Sequence, residues 1–317
     1  PEGAQIRESL SPSASKKIRI LVFAGSPHWT PEKASFCAKH ELCPVISTWQ
    51  DWKLFYKKSD FKKIQYEIKF NTGMNRLGLT PDLLPDLLHD LKKIKPQHWP
   101  KGILSHLAMS DEPHHPLSLK QKLTFKHIRQ SVLRSLPRAH DYIHFHFGNS
   151  GAIWNAQEWE INSLTQIVRP GIALYGISPS PGAPLYGLKR VMSVYAEIMG
   201  LQKLKAGEST GYDALYKAPR TASKGVLVGI LSLGYADGFH RALSNTGFVW
   251  FKGAKRRILG AVSMDMAAIE CPTTARIGDQ VELIGEHLEP WAQAQAAHTV
   301  PYELLTSVSD RVERRYG

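Results

Sequence analysis

The stretch YEIKFNTGMNRLGLTPDLLPDLLHDLKKIKPQHWPKGILSHLAM (66–109) contains two short β-rich runs, Tyr66–Phe70 and Gly102–Met109. Between them Leu83, Leu84, Leu87, Leu88 and Leu91 recur at helical spacing, and Thr80-Pro81-Asp82 supplies a helix start. Strand, helix and strand in that order predict parallel pairing with a crossover helix. The alternation continues on both sides, through Ile18–Gly25 (IRILVFAG), Pro44–Trp49 (PVISTW), Tyr142–Phe147 (YIHFHF) and Val168–Tyr175 (VRPGIALY). Leu117–Leu136 adds a second long segment of helical apolar spacing with a polar, basic opposite face. About 30 residues per strand–helix unit is the rhythm of a (β/α)8 barrel, which closes with about eight strands. These runs fall two units short of closure, and a chain that begins at Pro1 rather than methionine leads us to expect the shortfall at the front. An open doubly wound sheet is the competing architecture, but no glycine-rich dinucleotide fingerprint follows any run.

Near residue 180 the texture changes. Ser178-Pro179-Ser180-Pro181-Gly182 reads as a linker, and alternating runs follow at Val191–Leu201, Gly225–Leu233, Gly247–Lys252, Ile258–Ile269 and Gln280–Gly285, with one helix-like segment at Trp291–Ala297. The expected fold class is therefore α/β + β. A partial (β/α)8 TIM-type barrel lacking its first two strands occupies residues 1–180, and a mainly antiparallel β domain occupies 181–317.

Composition narrows the function classes. Of 317 residues, 43% are hydrophobic and 21% charged, which excludes disorder, collagen and a coiled-coil rod. No apolar run approaches the roughly 18 residues needed to span a bilayer. Three cysteines, Cys37, Cys43 and Cys271, are an odd number at low density, so a disulfide framework is not expected; a reducing, cytoplasmic compartment is. The net charge of +12 raises the question of a polyanion. Its basic clusters, at 53–63 (Lys53, Lys57, Lys58, Lys62, Lys63), 92–95 and 252–257, are interleaved with apolar residues and read as solvated faces, so nucleic acid is not the expected partner.

Polar residues that follow the strand runs lie where barrels place their active sites. Asn71-Thr72-Gly73-Met74-Asn75-Arg76 ends in an arginine suited to a carboxylate or phosphate. His106 lies on the fourth run, Gly148-Asn149-Ser150-Gly151 follows the fifth, and Arg169-Pro170-Gly171-Ile172 opens the sixth. Together they point to a phosphorylated, anionic ligand. Singly, each arginine reads as structural and His106 as a satisfied strand histidine. His144 and His146 share a strand face, but no carboxylate or cysteine accompanies them in sequence, so no metal site is expected.

The set as a whole resembles the alanine racemases, on KFNTGMNRLGL (69–79), HLAMSDE (106–112), HFGNSGA (146–152), VRPGIALYG (168–176), TGYDALY (210–216), LGYADGFHR (233–241), GAVSMDMAAIE (260–270) and SDRVERRY (309–316). The likeness covers essentially the whole chain. It implies a pyridoxal-phosphate enzyme, an isomerase that interconverts L- and D-alanine and supplies D-alanine for cell-wall peptidoglycan. It also implies a homodimer whose active site is shared between subunits. By this resemblance Tyr212 is the catalytic tyrosine, entering from the partner subunit, and Arg76 and Met264 contact substrate. Arg169 faces the cofactor's pyridine nitrogen with His106 behind it. Ser150, Gly171, Ile172 and Tyr235 form the phosphate cup. Lys69 matches a lysine that is carbamylated in some members and orients Arg76.

Three departures stand out. No lysine lies in the KANAYG-like context that carries the family's imine-forming lysine, so this chain is expected to be inactive alone; the alternative is a non-catalytic relative that binds an anionic ligand or polyanion. Asp310 stands where some members have a phosphate-contacting tyrosine, and is expected to point away or to pair with Arg311. Asn71 replaces an aspartate common in the turn, a change expected to matter little.

Overall fold

A computed structural model describes residues 1–23, 29–57 and 64–317, with the backbone alone for Lys57. Ala24 and Gly25 of the first strand run, and Lys58, Lys62 and Lys63 of the basic stretch, lie outside the described residues. The chain divides into two compact units, Pro1–Gly171 and Ile172–Gly317.

In the first unit five strands pair in chain order, each parallel to the next: β1 (Ile20–Val22), β2 (Leu42–Ile46), β3 (Glu67–Lys69), β4 (Gly102–Leu104) and β5 (His144–His146). Every residue of β2, β3 and β4 is buried, as expected of strands covered on both faces. Helices Pro31–Lys39, Trp49–Lys57, Leu84–Lys92 and Pro116–Ser135 make the four connections. The first two begin with a threonine cap. Thr30 Oγ1 accepts from the Lys33 N–H ahead of Pro31, and Thr48 Oγ1 accepts from the Asp51 N–H. Leu84, Leu87, Leu88 and Leu91 are buried, so the leucine periodicity does mark the packed face. The core gathers Trp52, Ile68, Ile103, Phe125, Phe145, Phe147 and Trp159; Phe125 and Phe147 stack at 4.7 Å and Trp159 meets Phe147 edge-on.

The sixth run does not form a strand. Arg169 makes one parallel bridge with Asn149, its N–H donating to Gly148 O at 2.8 Å, and Ile172–Tyr175 then coils into a 3-10 turn. Pro170 has no N–H with which to continue a ladder.

The second unit is antiparallel. A six-stranded sheet runs β11 (Ala254–Arg257), β10 (Phe248–Phe251), β13 (Gln280–Ile284), β6 (Val194–Leu204), β9 (Val226–Leu231) and β12 (Ala267–Glu270), and β7 (Ser209–Thr210) with β8 (Tyr216–Lys217) forms a separate hairpin. Val194, Ala196 and Ile198 point inward while Tyr195, Glu197 and Met199 point outward, the period of two that marked this strand. The Ile258–Ile269 run is broken. The Gly260 N–H donates to Asn245 Oδ1 and the Val262 N–H to Ser244 Oγ, so this segment leaves the sheet before β12 begins. Ser178–Gly182 lies inside this unit, with Ser178 O accepting from Trp291 Nε1. Among the described residues no helix is long and apolar enough to cross a membrane.

Phe147→Ala removes a fully buried ring from both aromatic contacts. It should lower unfolding stability by about 3–5 kcal/mol, read from the denaturant midpoint.

Candidate active site

The C-terminal ends of β3, β4 and β5 collect the polar residues of the first unit. Lys69 closes β3, and the turn after it is built by Asn71, whose Oδ1 accepts from the N–H groups of Gly73 and Asn75. An aspartate oxygen would accept the same bonds, so the replacement costs the turn nothing. Leu79 N–H to Lys69 O and Asn71 N–H to Leu79 O close the loop and leave Arg76 exposed on it. Past β4, the backbone carrying His106 is held by buried Gln121, which donates to His106 O and accepts from the Ala108 N–H. Ser150 opens the helix Ser150–Trp154, and its Oγ accepts from the Gly171 N–H at 2.9 Å.

Arg169 is the most constrained of these groups. Its Nη1 donates to His146 Nδ1 at 2.6 Å and to His146 O at 3.1 Å, and its Nη2 donates to Ser105 O at 2.6 Å. Burial pulls its pKa down to about 10, against the charge of Glu67, which acts to raise it. His106 is pushed down to about 4, first by burial and then by Arg169, Arg76 and Lys69. Lys69 is also lowered, by burial and then by Arg76 and Arg169. The structure therefore brings Lys69, Arg76, His106 and Arg169 into one field of positive potential, with His106 uncharged at neutral pH.

Glu67 and His146, both fully buried, form a contact that the sequence did not disclose. Glu67 Oε2 lies 2.7 Å from His146 Nε2, and Glu67 Oε1 lies 3.2 Å from Arg19 Nη1. The carboxylate missing beside the two histidines in sequence thus comes from β3. The available signal was an acid within an apolar strand, YEIKF. Among the described residues no group of three His, Cys, Asp or Glu could hold a metal ion.

In the second unit the GYADG and SMDM segments interlock. Tyr235 N–H donates to Ser263 O and Ala236 N–H to Met264 O, both at 3.0 Å. A Cβ on Gly234 would fall 2.3 Å from Ser263 O, so only glycine permits this approach. Tyr235 and Met264 are thereby brought together, each about half exposed. Arg311 bridges the two segments, with Nη2 at 2.7 Å from Asp265 and Nε at 3.5 Å from Asp237. Asp310 pairs with Arg314 at 3.3 Å and not with Arg311, whose guanidinium is already engaged by Asp265 and Asp237. Tyr212 stands 69% exposed on its own turn. That turn is anchored by Asn245, which donates to Leu215 O while accepting from the Gly260 N–H; spacing in the sequence offered no signal for this role. The Ile172 side chain is buried, which leaves its backbone for any ligand.

The cations are a chemically suitable donor set for a ligand that carries phosphate and carboxylate groups. These strand ends belong to a parallel α/β unit that is followed in the chain by an antiparallel β unit. The sequence models of the alanine racemase N-terminal and C-terminal domains match residues 1–179 and 191–316. The chain is 32% identical to the alanine racemase of Rickettsia canadensis (strain McKiel) over 321 residues, 99% of this chain and 82% of that one. Two solved structures superpose on it closely. The biosynthetic alanine racemase from Pseudomonas aeruginosa gives a TM-score of 0.84 at 30% identity, over 100% of this chain and 82% of that one. The alanine racemase from Bartonella henselae with covalently bound pyridoxal phosphate gives 0.81 at 32%, over 99% and 82%. The chain belongs to the alanine racemase family, amino-acid isomerases that depend on pyridoxal phosphate.

The depressed pKa of His106 predicts an acid limb. The unfolded chain takes up this proton near pH 6.5 and the folded chain only near 4, so stability is full above 6.5 and falls as pH drops through that window. His106→Gln should flatten the decline of Tm between pH 6.5 and 4, as followed by circular dichroism.

Proposed function

We propose that the protein interconverts L- and D-alanine and so supplies D-alanine for cell-wall peptidoglycan, in the cytoplasm and as a homodimer with a shared active site. The observation that carries this reading is the convergence of Lys69, Arg76, His106 and Arg169 at the ends of adjacent parallel strands. Arg169 would meet the pyridine nitrogen of pyridoxal phosphate with His106 behind it. Ser150, the backbone at Gly171 and Ile172, and Tyr235 would hold the phosphate. Pyridoxal phosphate, when bound, supplies the electron sink that lets an α-proton leave.

The remaining steps belong to the chain. Arg76, oriented by Lys69, would bind the substrate carboxylate, and Met264 would border the space left for a small side chain. Tyr212, supplied by the partner subunit, would take or return the α-proton at its Oη on one face. A phenol is a weak base at its free pKa of about 10, and cations nearby favour its ionised form. Arg169, a permanent donor, would keep the pyridine nitrogen unprotonated.

Inversion needs a second acid/base group on the opposite face. The family places there the lysine that holds the cofactor, and within these 317 residues no lysine has its KANAYG-like context. We therefore propose that this polypeptide alone does not racemise. That absence is the observation favouring the second reading, a non-catalytic relative that binds an anionic ligand.

Borohydride reduction with pyridoxal phosphate should give no adduct at a unique lysine of this chain, as mapped by peptide mass spectrometry; a stoichiometric adduct would refute the missing-lysine proposal. Joined to an upstream segment carrying a KANAYG-like motif, the polypeptide should form one adduct and release D-alanine. Tyr212→Phe should then lower that rate by about 10²–10⁴-fold. An adduct without D-alanine formation would favour the binding reading. Mixing Tyr212→Phe and Arg169→Leu forms of the joined protein should restore activity, because one shared site per heterodimer is intact.

A further inference from the structure

Glu67 is a buried acid that none of these steps uses. It opens β3, and its carboxylate reaches His146 on β5, two strands away. Gly102 of β4 lies between: it pairs with Glu67 on one side and His144 on the other, and a Cβ there would fall 2.6 Å from Glu67 Cδ. The glycine leaves the gap through which the carboxylate passes.

Hydrogen-bond chemistry then fixes a proton. A guanidinium only donates, so the 2.6 Å contact between Arg169 Nη1 and His146 Nδ1 requires the nitrogen lone pair at Nδ1. The ring proton therefore sits on Nε2, 2.7 Å from Glu67 Oε2, which accepts it. The other oxygen of Glu67 is engaged by Arg19. The opposite tautomer, or an imidazolium, would set an Nδ1–H against the guanidinium, donor to donor. Burial and the charge of Arg169 both oppose protonating His146, while Glu67 favours it.

We infer that Glu67 is a positioning residue: by holding His146 in its Nε2–H form, it provides the acceptor that orients the Arg169 guanidinium toward the cofactor's ring nitrogen. The inference rests on the proposed role of Arg169, and the relay from Glu67 to His146 can be tested apart from that role. Without Glu67 the imidazole is free to turn its proton to Nδ1, and Arg169 keeps only the carbonyls of His146 and Ser105.

Imidazole ¹⁵N spectra of the full chain without cofactor read the tautomer directly. The native protein should show His146 as a single neutral Nε2–H form at pH 7; an Nδ1–H form or an imidazolium would overturn the proposal without any variant. Glu67→Leu should convert this to a mixture, whereas Glu67→Gln, whose amide oxygen still accepts, should retain the native signal. The second arm adds pyridoxal phosphate labelled with ¹⁵N at the ring. Glu67→Leu should shift the ring-nitrogen signal toward its unbound position and weaken binding roughly tenfold, the scale expected of a group that orients a ligand's partner. A His146 signal unmoved in Glu67→Leu overturns the relay and leaves the assignment of Arg169 standing. A moved His146 signal with an unmoved ring nitrogen overturns the link from the relay to the cofactor; an unmoved ring nitrogen in Arg169→Leu would overturn the assignment of Arg169 itself.

Discussion

Like charges at close quarters repel, and the first unit concentrates them. Lys69, Arg76 and Arg169 gather at the strand ends together with His106; burial above all, joined at Lys69 and His106 by the neighbouring cations, makes each of Lys69, His106 and Arg169 harder to protonate there than in water. Such an arrangement persists only if the surrounding structure over-determines it. Arg169 meets that condition with three acceptors, Gln121 fastens the backbone that carries His106, and β3 holds Lys69 rigidly. An anionic ligand would relieve the repulsion, so binding energy is already stored in the geometry of the free protein.

The second unit solves a different problem. Tyr235, Met264 and Tyr212 are large and exposed, and none sits on a strand of the main sheet. They are placed instead by turns that grip one another: Gly234 against Ser263, Arg311 across Asp237 and Asp265, and Asn245 between the Tyr212 turn and Gly260. Loops positioned by a rigid sheet commonly carry function, and here the rigidity comes from side chains bonding to backbone as much as from the sheet.

Legibility in the sequence followed the range of the interactions. The leucine periodicity marks the helix Leu84–Lys92, and alternation marks β6, because both report local geometry. Family motifs placed the polar residues at strand ends in the right order. The Glu67–His146 contact was hidden because it depends on the register of three strands, and on a glycine whose significance appears only when a side chain crosses it. The sixth strand run failed at Pro170, and Ile258–Ile269 split where Ser244 and Asn245 captured its N–H groups. Of the two expectations for Asp310, pairing with Arg311 fails because that guanidinium is already committed to Asp237 and Asp265.

The gap at Gly102 has a consequence for how this sequence can drift. A methyl group there and the carboxylate of Glu67 compete for the same volume, so the two positions are coupled although neither would be singled out alone. Homologues that acquire a side chain at the first position should have lost the acid at the second. In those lineages the imidazole facing the guanidinium must find some other acceptor for its proton, or the guanidinium another anchor.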